Sequence, residues 1–263
     1  MSDAAGISRI WVALDALEHS EAPLGAALGL ARAMQAELAA LFVENVDLFR
    51  MAAFPQSFET RLFGPPRDAQ GPQALEAALR AQASALQRQL VRAAGASGVP
   101  WSFHTARGRI LQQALALAGA EDCVVLPGAA IATSLVIARP GARSSGRSVV
   151  PPPGTRQVWA LPGAGARGCR ALAIAHRILG GGQAGRLVLP EDPQAADELR
   201  GWLRQHGWQD EWREASVAEL RAARQRPGGA EAGLLLVPRP ADVAERAQLE
   251  GSLRRFGWPI VMV

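Results

Sequence analysis

The sequence predicts an α/β protein made of two tandem open domains, each a Rossmann-like parallel sheet with helices on both faces. Short apolar segments alternate with longer segments whose apolar residues recur every three to four positions. This alternation runs through residues 8–126 and starts again at residue 157. Strands that alternate with helices form parallel sheets through right-handed crossovers. We therefore expect a first domain at 1–138, a linker at 139–155 and a second domain at 156–263.

The first domain opens with an apolar strand at 8–14, and Asp15 follows at its carboxyl end, as in a buried parallel strand. Ser20 and Pro23 are start signals for the next helix. The remaining elements are expected as strands at 38–43, 101–105 and 123–126 and helices at 74–94 and 110–117. Residues 44–73 form an insertion between the second strand and the long helix.

The second domain repeats this order after the linker, which is rich in Pro, Gly, Ser and Arg. Its strands are expected at 157–161, 186–189, 210–213, 234–237 and 260–263, and its helices at 167–179, 195–206, 217–226 and 243–256. The strand at 210–213 has the weakest pattern of the set.

The composition excludes several classes of protein. A chain of 263 residues with 49% hydrophobic content can fill the cores of these domains, so a disordered or fibrous protein is excluded. All 28 basic residues are arginine, which rules out Schiff-base and phosphate-loop lysines. The two cysteines cannot build a disulfide framework. The first residues lack the apolar run of a secretory signal, and the apolar stretch at 123–138 is too short to span a bilayer. We therefore expect a cytoplasmic protein that does not enter a membrane.

The formal net charge of +4 is unevenly distributed along the chain. Residues 123–190 contain eight arginines and no Asp or Glu. A segment with one sign of charge raises the local concentration of oppositely charged ligands. The middle of the chain is therefore expected to attract anions.

Several segments resemble the universal stress protein family. In the first domain they are Ile-Trp-Val-Ala-Leu-Asp at 10–15, Glu-His-Ser-Glu-Ala at 18–22, the stretch 36–44, Gly-Val-Pro at 98–100, Gly108 and the stretch 120–128. The second domain is similar but more degenerate and ends in Gly-Trp-Pro-Ile-Val-Met-Val at 257–263. The resemblance implies five-stranded parallel sheets and, in many members, ATP bound across the carboxyl ends of the strands.

The family's ATP site is only partly present. ATP-binding members use an aspartate after the first strand, backbone after the second strand, and the pattern G-x2-G-x9-G-[S/T] after the fourth. Asp15 and Val43 hold the first two places, and Gly128 and Gly141 match the outer glycines. Two positions depart from the pattern: Ile131 replaces the middle glycine and Ala142 the hydroxyl residue. Because a β-branched residue adopts positive φ poorly, the phosphate cradle is incomplete, although ATP stays a candidate cofactor.

Each of these residues also has a structural interpretation. Asp15 is as well explained by a carboxylate at a strand end or helix cap as by a ligand contact. Gly128 and Gly141 are more simply turn glycines. Within the linker, Arg139, Arg143 and Arg147 are able to contact phosphate with side chains, which makes the loop a candidate anion-binding lid. The run Pro-Pro-Pro-Gly at 151–154 favours an ordinary interdomain linker instead.

A second glycine pattern lies between a strand and a helix of the second domain. Gly163, Gly165 and Gly168 have the spacing of a dinucleotide-binding turn. The acidic residue expected about 20 positions later is only approximately matched by Glu191 or Asp192. In the repeat, the same segment is the second copy of the turn after Asp15, so dinucleotide binding ranks third among the functions considered.

The insertion places four of the seven phenylalanines within fifteen residues: Phe49, Phe54, Phe58 and Phe63. Rings in such number must be buried, either as extra core, as a cap on the Asp15 pocket, or in a subunit interface. The interface alternative predicts a homodimer.

The sequence predicts no catalytic site and no metal site. The four histidines are isolated, and neither a nucleophile elbow nor a pair of carboxylates in an apolar setting is present. We therefore expect a non-catalytic universal-stress-like protein that binds a small anion, a nucleotide or a protein partner in stress response or regulation. The alternative is an ATP-binding protein with slow phosphohydrolase or phosphotransfer activity. Nucleic-acid binding is disfavoured, because acidic residues lie among the tryptophans of the second domain.

Overall fold

The computed structural model describes residues 6–16, 21–53, 58–59, 67–68, 72–128, 157–179, 184–225, 233–253 and 258–263. The linker at 139–155 lies outside these residues. The helices are α1 (Glu21–Met34), α2 (Val46–Ala52), α3 (Pro72–Ser97), α4 (Ile110–Leu117), α5 (Gly165–Leu179), α6 (Pro193–His206), α7 (Val217–Gln225) and α8 (Val243–Leu253). The strands are β1 (Arg9–Asp15), β2 (Glu37–Asn45), β3 (Phe58–Glu59), β4 (Arg67–Asp68), β5 (Trp101–Gly108), β6 (Cys123–Leu126), β7 (Val158–Ala160), β8 (Gly185–Leu187), β9 (Trp212–Glu214), β10 (Leu234–Val237) and β11 (Ile260–Met262).

Nine of these strands form one sheet in the order β5-β2-β1-β6-β11-β10-β7-β8-β9. Neighbouring strands are parallel except β6 and β11, which pair antiparallel with Val125 opposite Val261. The short strands β3 and β4 pair separately. The expected α/β class with mostly parallel strands is confirmed.

The same strand order occurs twice in this sheet. We number the strands of each half by their order in the sequence. Across the sheet, the first half then has the order third, second, first, fourth (β5-β2-β1-β6). The second half has the same order (β9-β8-β7-β10), followed by β11. The sequence suggested a separate sheet for each half, but β11 also pairs with β6 and joins the two. An unpaired edge at β6 would expose backbone donors and acceptors, and β11 satisfies them. The antiparallel junction turns the carboxyl ends of the two halves toward opposite ends of the sheet.

Helices cover both faces, as predicted. One face packs against α1, α3, α5 and α6 through residues such as Leu30, Leu79, Leu172 and Leu199. The other packs against α4, α7 and α8 through residues such as Leu111, Leu220 and Leu249. We refer to them as the α1 face and the α4 face. Alternate residues of each strand supply the two hydrophobic clusters, as the pleat requires.

Three local differences from the predicted elements have physical causes. The long helix α3 continues through Gly95 to residue 97 and ends before Gly98, whose φ of +64° suits a glycine. The helix α2 was not predicted; the Asn45 side chain caps it by accepting a hydrogen bond from the Asp47 N–H at 2.9 Å. In the second half, β9 begins two residues later than expected, because a 3₁₀ turn occupies residues 209–211.

None of the helices within the described ranges is long and apolar enough to cross a bilayer.

Candidate functional site

Each half has one place where the strand order reverses. In the first half it lies between β1 and β6, and in the second half between β7 and β10. The helices that follow β7 and β10 pack on opposite faces, which leaves a crevice between them. Open α/β sheets bind their ligands at such crevices, outside the carboxyl ends of the strands. The two ends of this sheet therefore offer one strand-order reversal each, and we refer to both places as candidate crevices, although the segment that follows Gly128 after β6 lies outside the described residues.

Asp15 lies at the carboxyl end of β1, beside the first of these crevices. Asp15 is only 9% exposed, and it lies opposite Val43 in the parallel pairing of β1 with β2. Strand alternation places Asp15 and Val43 on the α4 face, together with Trp11. Gln82 of α3 donates a hydrogen bond to the Ala16 carbonyl at 3.2 Å and ties down the turn after Asp15. The two sequence-predicted residues are thus brought side by side at the place where a ligand would bind.

Gly128 lies level with Asp15 if the β1–β6 register, which pairs Val12 with Val125, is continued by three residues. A Cβ at Gly128 would run into the backbone nitrogen and carbonyl oxygen of Trp258, just before β11. Its lack of a side chain therefore serves the junction between the halves. The other predicted phosphate and lid residues lie outside the described part of the chain: Gly141, Arg139, Arg143 and Arg147.

The rim of this crevice is formed by the start of α4. Gly108, the last residue of β5, packs so tightly that a Cβ there would lie 2.5 Å from Nε2 of Gln113. Arg109 precedes the helix, and its Nε is 3.8 Å from a carboxylate oxygen of Asp47. Both side chains of this pair are about half exposed. The rim can therefore offer a cation to a ligand at little cost, because exposed ion pairs are weak.

A second charged group lies at the same end of the sheet but on the α1 face. Arg107 of β5 contacts Glu44 of β2 at 2.9 Å and Glu76 of α3 at 3.0 Å, and its guanidinium lies 4.2 Å from the ring centre of Phe49. These hydrogen bonds to Glu44 and Glu76 raise the pKa of Arg107. These contacts fasten α2 and α3 to β2 and β5 on the α1 face of the sheet.

Asp122 is a buried carboxylate that the sequence did not single out. Three donors satisfy it: the Ser8 hydroxyl at 3.0 Å, the Trp11 indole N–H at 3.1 Å and the Gly119 backbone N–H at 2.8 Å. Burial opposes its ionisation, but the hydrogen bonds from Gly119, Trp11 and Ser8 outweigh burial and lower its pKa. Its place directly before an apolar strand was the available signal. With its acceptors engaged internally, Asp122 is a structural residue.

The glycine turn of the second half has the backbone that its spacing predicted. Gly163 and Gly165 have φ values of +66° and +67°, and a Cβ on Gly168 would lie 2.6 Å from the Gly163 carbonyl oxygen. Asp192, a candidate for the acidic residue of a dinucleotide site, instead caps α6 by accepting from the Gln194 N–H. The turn is therefore suited to close packing at the start of α5.

The crevice above this turn is crossed by side chains. Arg167 of α5 donates to the Arg239 carbonyl at 3.1 Å and to Glu245 of α8 at 3.3 Å. Glu245 also accepts the Ala241 backbone N–H at 2.6 Å. A dinucleotide in this crevice would have to displace these bonds.

The described residues contain no cluster of His, Cys, Asp or Glu able to hold a metal ion. His176 is stacked on Trp208 with ring centres 3.7 Å apart, and Nδ1 of His206 is 2.8 Å from the Trp202 carbonyl oxygen. His19 lies outside the described residues.

Comparison with known proteins gives similarity at the level of fold only. No protein-family model and no curated protein matches the chain. A universal stress protein from Archaeoglobus fulgidus DSM 4304 is similar in structure, with 14% identity and a TM-score of 0.47 over 96% of this chain and 97% of that one. A protein provisionally described as a universal stress protein, from Pseudomonas aeruginosa UCBPP-PA14, has 13% identity and a TM-score of 0.46 over 99% of this chain and 94% of that one. A protein of unknown function from Pseudomonas aeruginosa PAO1 has 14% identity and a TM-score of 0.41 over 99% of this chain and 93% of that one.

Proposed function

We propose that this chain is a non-catalytic, universal-stress-like binding protein of the cytoplasm that acts in stress response or regulation. Its ligand is a nucleoside or nucleotide held at the carboxyl ends of β1 and β2. The carboxylate of Asp15 accepts from the ribose hydroxyls, and the backbone at Val43 contacts the base. The observation that carries the proposal is the burial of Asp15 at the strand-order reversal, level with Val43.

The phosphate end of the ligand contributes little in this proposal. Gly128 already contacts the Trp258 backbone, and Ile131 and Ala142 depart from the family's glycine pattern. The affinity should therefore come from the nucleoside, since the backbone cradle that would grip a triphosphate is incomplete. A protein without such a cradle has little means of stabilising phosphoryl transfer.

Isothermal titration with adenosine, AMP and ATP plus magnesium tests this proposal. We expect the three affinities to agree within about threefold, because the phosphates contribute little binding free energy in this proposal. If each added phosphate contributed about 1.4 kcal/mol, the affinity would instead rise about tenfold at each step. Asp15→Asn should weaken all three by about tenfold or more, since it removes a charged acceptor. The exposed Asp210→Asn is the matched control and should bind as wild type does.

The alternative enzyme makes the opposite prediction. A slow phosphohydrolase that uses Asp15 and the arginines at 139, 143 and 147 would bind ATP far better than adenosine and release phosphate. Phosphate release that disappears in Asp15→Asn and persists in Asp210→Asn would therefore overturn the non-catalytic proposal.

The homodimer is proposed on the aromatic content of residues 44–73. Phe54 and Phe58 lie outside the described side chains, and an aromatic-rich segment of this composition commonly forms a partner surface. Sedimentation of a Phe54→Asp, Phe58→Asp double variant should give monomers. A dimer that persists in this variant would assign the rings to the core or to a cap on the crevice.

A further inference from the structure

Two arginines meet at the seam between the halves, by which we mean the side chains around the amino end of β6. Arg170 belongs to the second turn of α5, and Arg239 follows β10. Burial lowers the pKa of Arg239, and the nearby positive charge of Arg170 adds to this effect. Both charges also act on the buried Cys123 thiol at the start of β6. Arg239 donates to the Asp122 carbonyl and Nη2 of Arg170 lies 4.0 Å from Glu121 Oε2, so the two guanidinium groups flank adjacent residues. Two like charges in a partly buried place cost free energy unless anions offset them.

The hydrogen-bonding capacity of this pair is not used up. Arg239 donates through Nη1 to the Ala118 carbonyl at 3.2 Å and through Nη2 to the Asp122 carbonyl. Its Nε is buried and has no acceptor in the described part of the chain, and the same holds for Nε and Nη2 of Arg170. The distance from Arg170 Nη2 to Glu121 Oε2 is 4.0 Å, which is too long for a hydrogen bond. Buried donors without acceptors are rare in native proteins and point to a missing partner.

The carboxylates near the seam do not supply this partner. The side chain of Asp122 is engaged by Ser8, Trp11 and Gly119, and Glu121 is half exposed and only loosely paired. The first turn of α5 contains no acidic residue, and residues 123–190 contain none at all. The seam therefore has buried N–H groups without acceptors on two elements of the second half, beside the carboxylates of Glu121 and Asp122.

We propose that a phosphate group, free or as a phosphomonoester, binds between Arg170 and Arg239 at this seam. A tetrahedral dianion can accept from several guanidinium N–H groups at once and neutralises both charges. The site is independent of the proposed nucleoside site, because the amino end of β6 lies at the opposite end of the sheet from Asp15. A bound phosphate would join α5 to the segment after β10 and stabilise the folded chain.

Titration with inorganic phosphate tests this site, with chloride at equal ionic strength as the reference. We expect phosphate to raise the melting temperature of the wild type more than chloride does. Arg170→Gln should weaken phosphate binding by about tenfold or more, whereas the exposed Arg204→Gln carries the same charge change and should bind as wild type does. Glycerol 3-phosphate distinguishes the two sources: binding equal to that of phosphate indicates a phosphomonoester, and no binding indicates free phosphate.

Glu121→Gln keeps the test decisive if Arg170→Gln does not fold. Removing this competing carboxylate should tighten phosphate binding by about threefold or more. The proposal is overturned if phosphate acts no more strongly than chloride, or if Arg170→Gln and Glu121→Gln both bind phosphate as the wild type does. All of these effects should persist in Asp15→Asn, so failure of this site and failure of the nucleoside site are separately visible.

Discussion

Asp15 and Asp122 are the two buried carboxylates among the described residues, and their positions give them different roles. Asp122 directly precedes β6, at the amino end of the first-half strands, and three donors surround its carboxylate. Asp15 stands at the carboxyl end of β1, beside the place where the strand order reverses. Asp122 therefore has a structural role, whereas Asp15 is the residue on which the nucleoside proposal rests.

Asp122→Asn should destabilise the protein by about 1–3 kcal/mol, because it weakens three hydrogen bonds to a charged acceptor. The native pKa of Asp122 is below its ordinary value of 3.8. Its stabilising contribution is therefore present above pH 4 and is lost as the pH falls through the lower native pKa. Urea unfolding should show a difference between wild type and variant that is constant at neutral pH and shrinks below pH 4. A difference that grows in acid would contradict this role.

Gly128→Ala should destabilise the protein by about 1–3 kcal/mol, the usual range for forcing an extra atom into a packed site. The added Cβ would collide with the Trp258 backbone at the junction of the halves. Gly29→Ala in α1 is the control, because a Cβ there meets nothing within 4 Å. It should be neutral or slightly stabilising in the same urea experiment. Equal stabilities for the two variants would show that Gly128 is not required by this contact.

The sequence could predict Asp15 and Val43 because they directly follow, or belong to, apolar strands. It could not predict that Gly128 contacts Trp258, because residues 130 positions apart come together only through the pairing of β6 with β11. The same holds for Arg170 and Arg239. The charge of Arg170 was visible as part of an anion-attracting region at 123–190, but Arg239 lies outside that region and its approach to Arg170 depends on tertiary structure.

At the level of elements, Arg107 holds together β2, β5, α2 and α3 at the carboxyl ends of the first-half strands. This side chain bonds Glu44 and Glu76 and stacks on Phe49. The nine strands of the large sheet and most helices were predictable, because their apolar periodicity is local, whereas the short strands β3 and β4 were not predicted. The helix α2 was missed, since seven residues of mixed polarity give no clear period and its cap depends on one asparagine.

Arg107→Gln should loosen the start of α3 without unfolding the sheet. The Arg107 side chain is about half exposed, so the global stability should change less than in Asp122→Asn. Hydrogen–deuterium exchange should be faster in the first turns of α3 and in α2, and unchanged in α5. Arg213→Gln, which changes an exposed arginine on β9, should leave exchange in α2 and α3 as in wild type. Unchanged exchange in α2 and α3 of Arg107→Gln would contradict this fastening role.

At the level of the whole molecule, one strand order occurs twice and the copies meet antiparallel at β6 and β11. The alternation of strands and helices in both halves was predictable, but the merging of the halves into one sheet was not. Edge pairing depends on which backbone groups are left unsatisfied after folding, and this is not written in any local pattern. The antiparallel junction separates the two proposed sites, with the nucleoside at one end of the sheet and the phosphate at the other.

Native mass spectrometry of the wild type and Asp15→Asn, as purified and after addition of ATP with magnesium, would show whether the crevice at Asp15 holds a nucleoside-type ligand without transforming it. We expect one ligand per chain in the wild type, a clear loss of occupancy in Asp15→Asn, and no conversion of bound ATP to ADP. Equal occupancy in the two proteins, or ADP formed only by the wild type, would contradict the account.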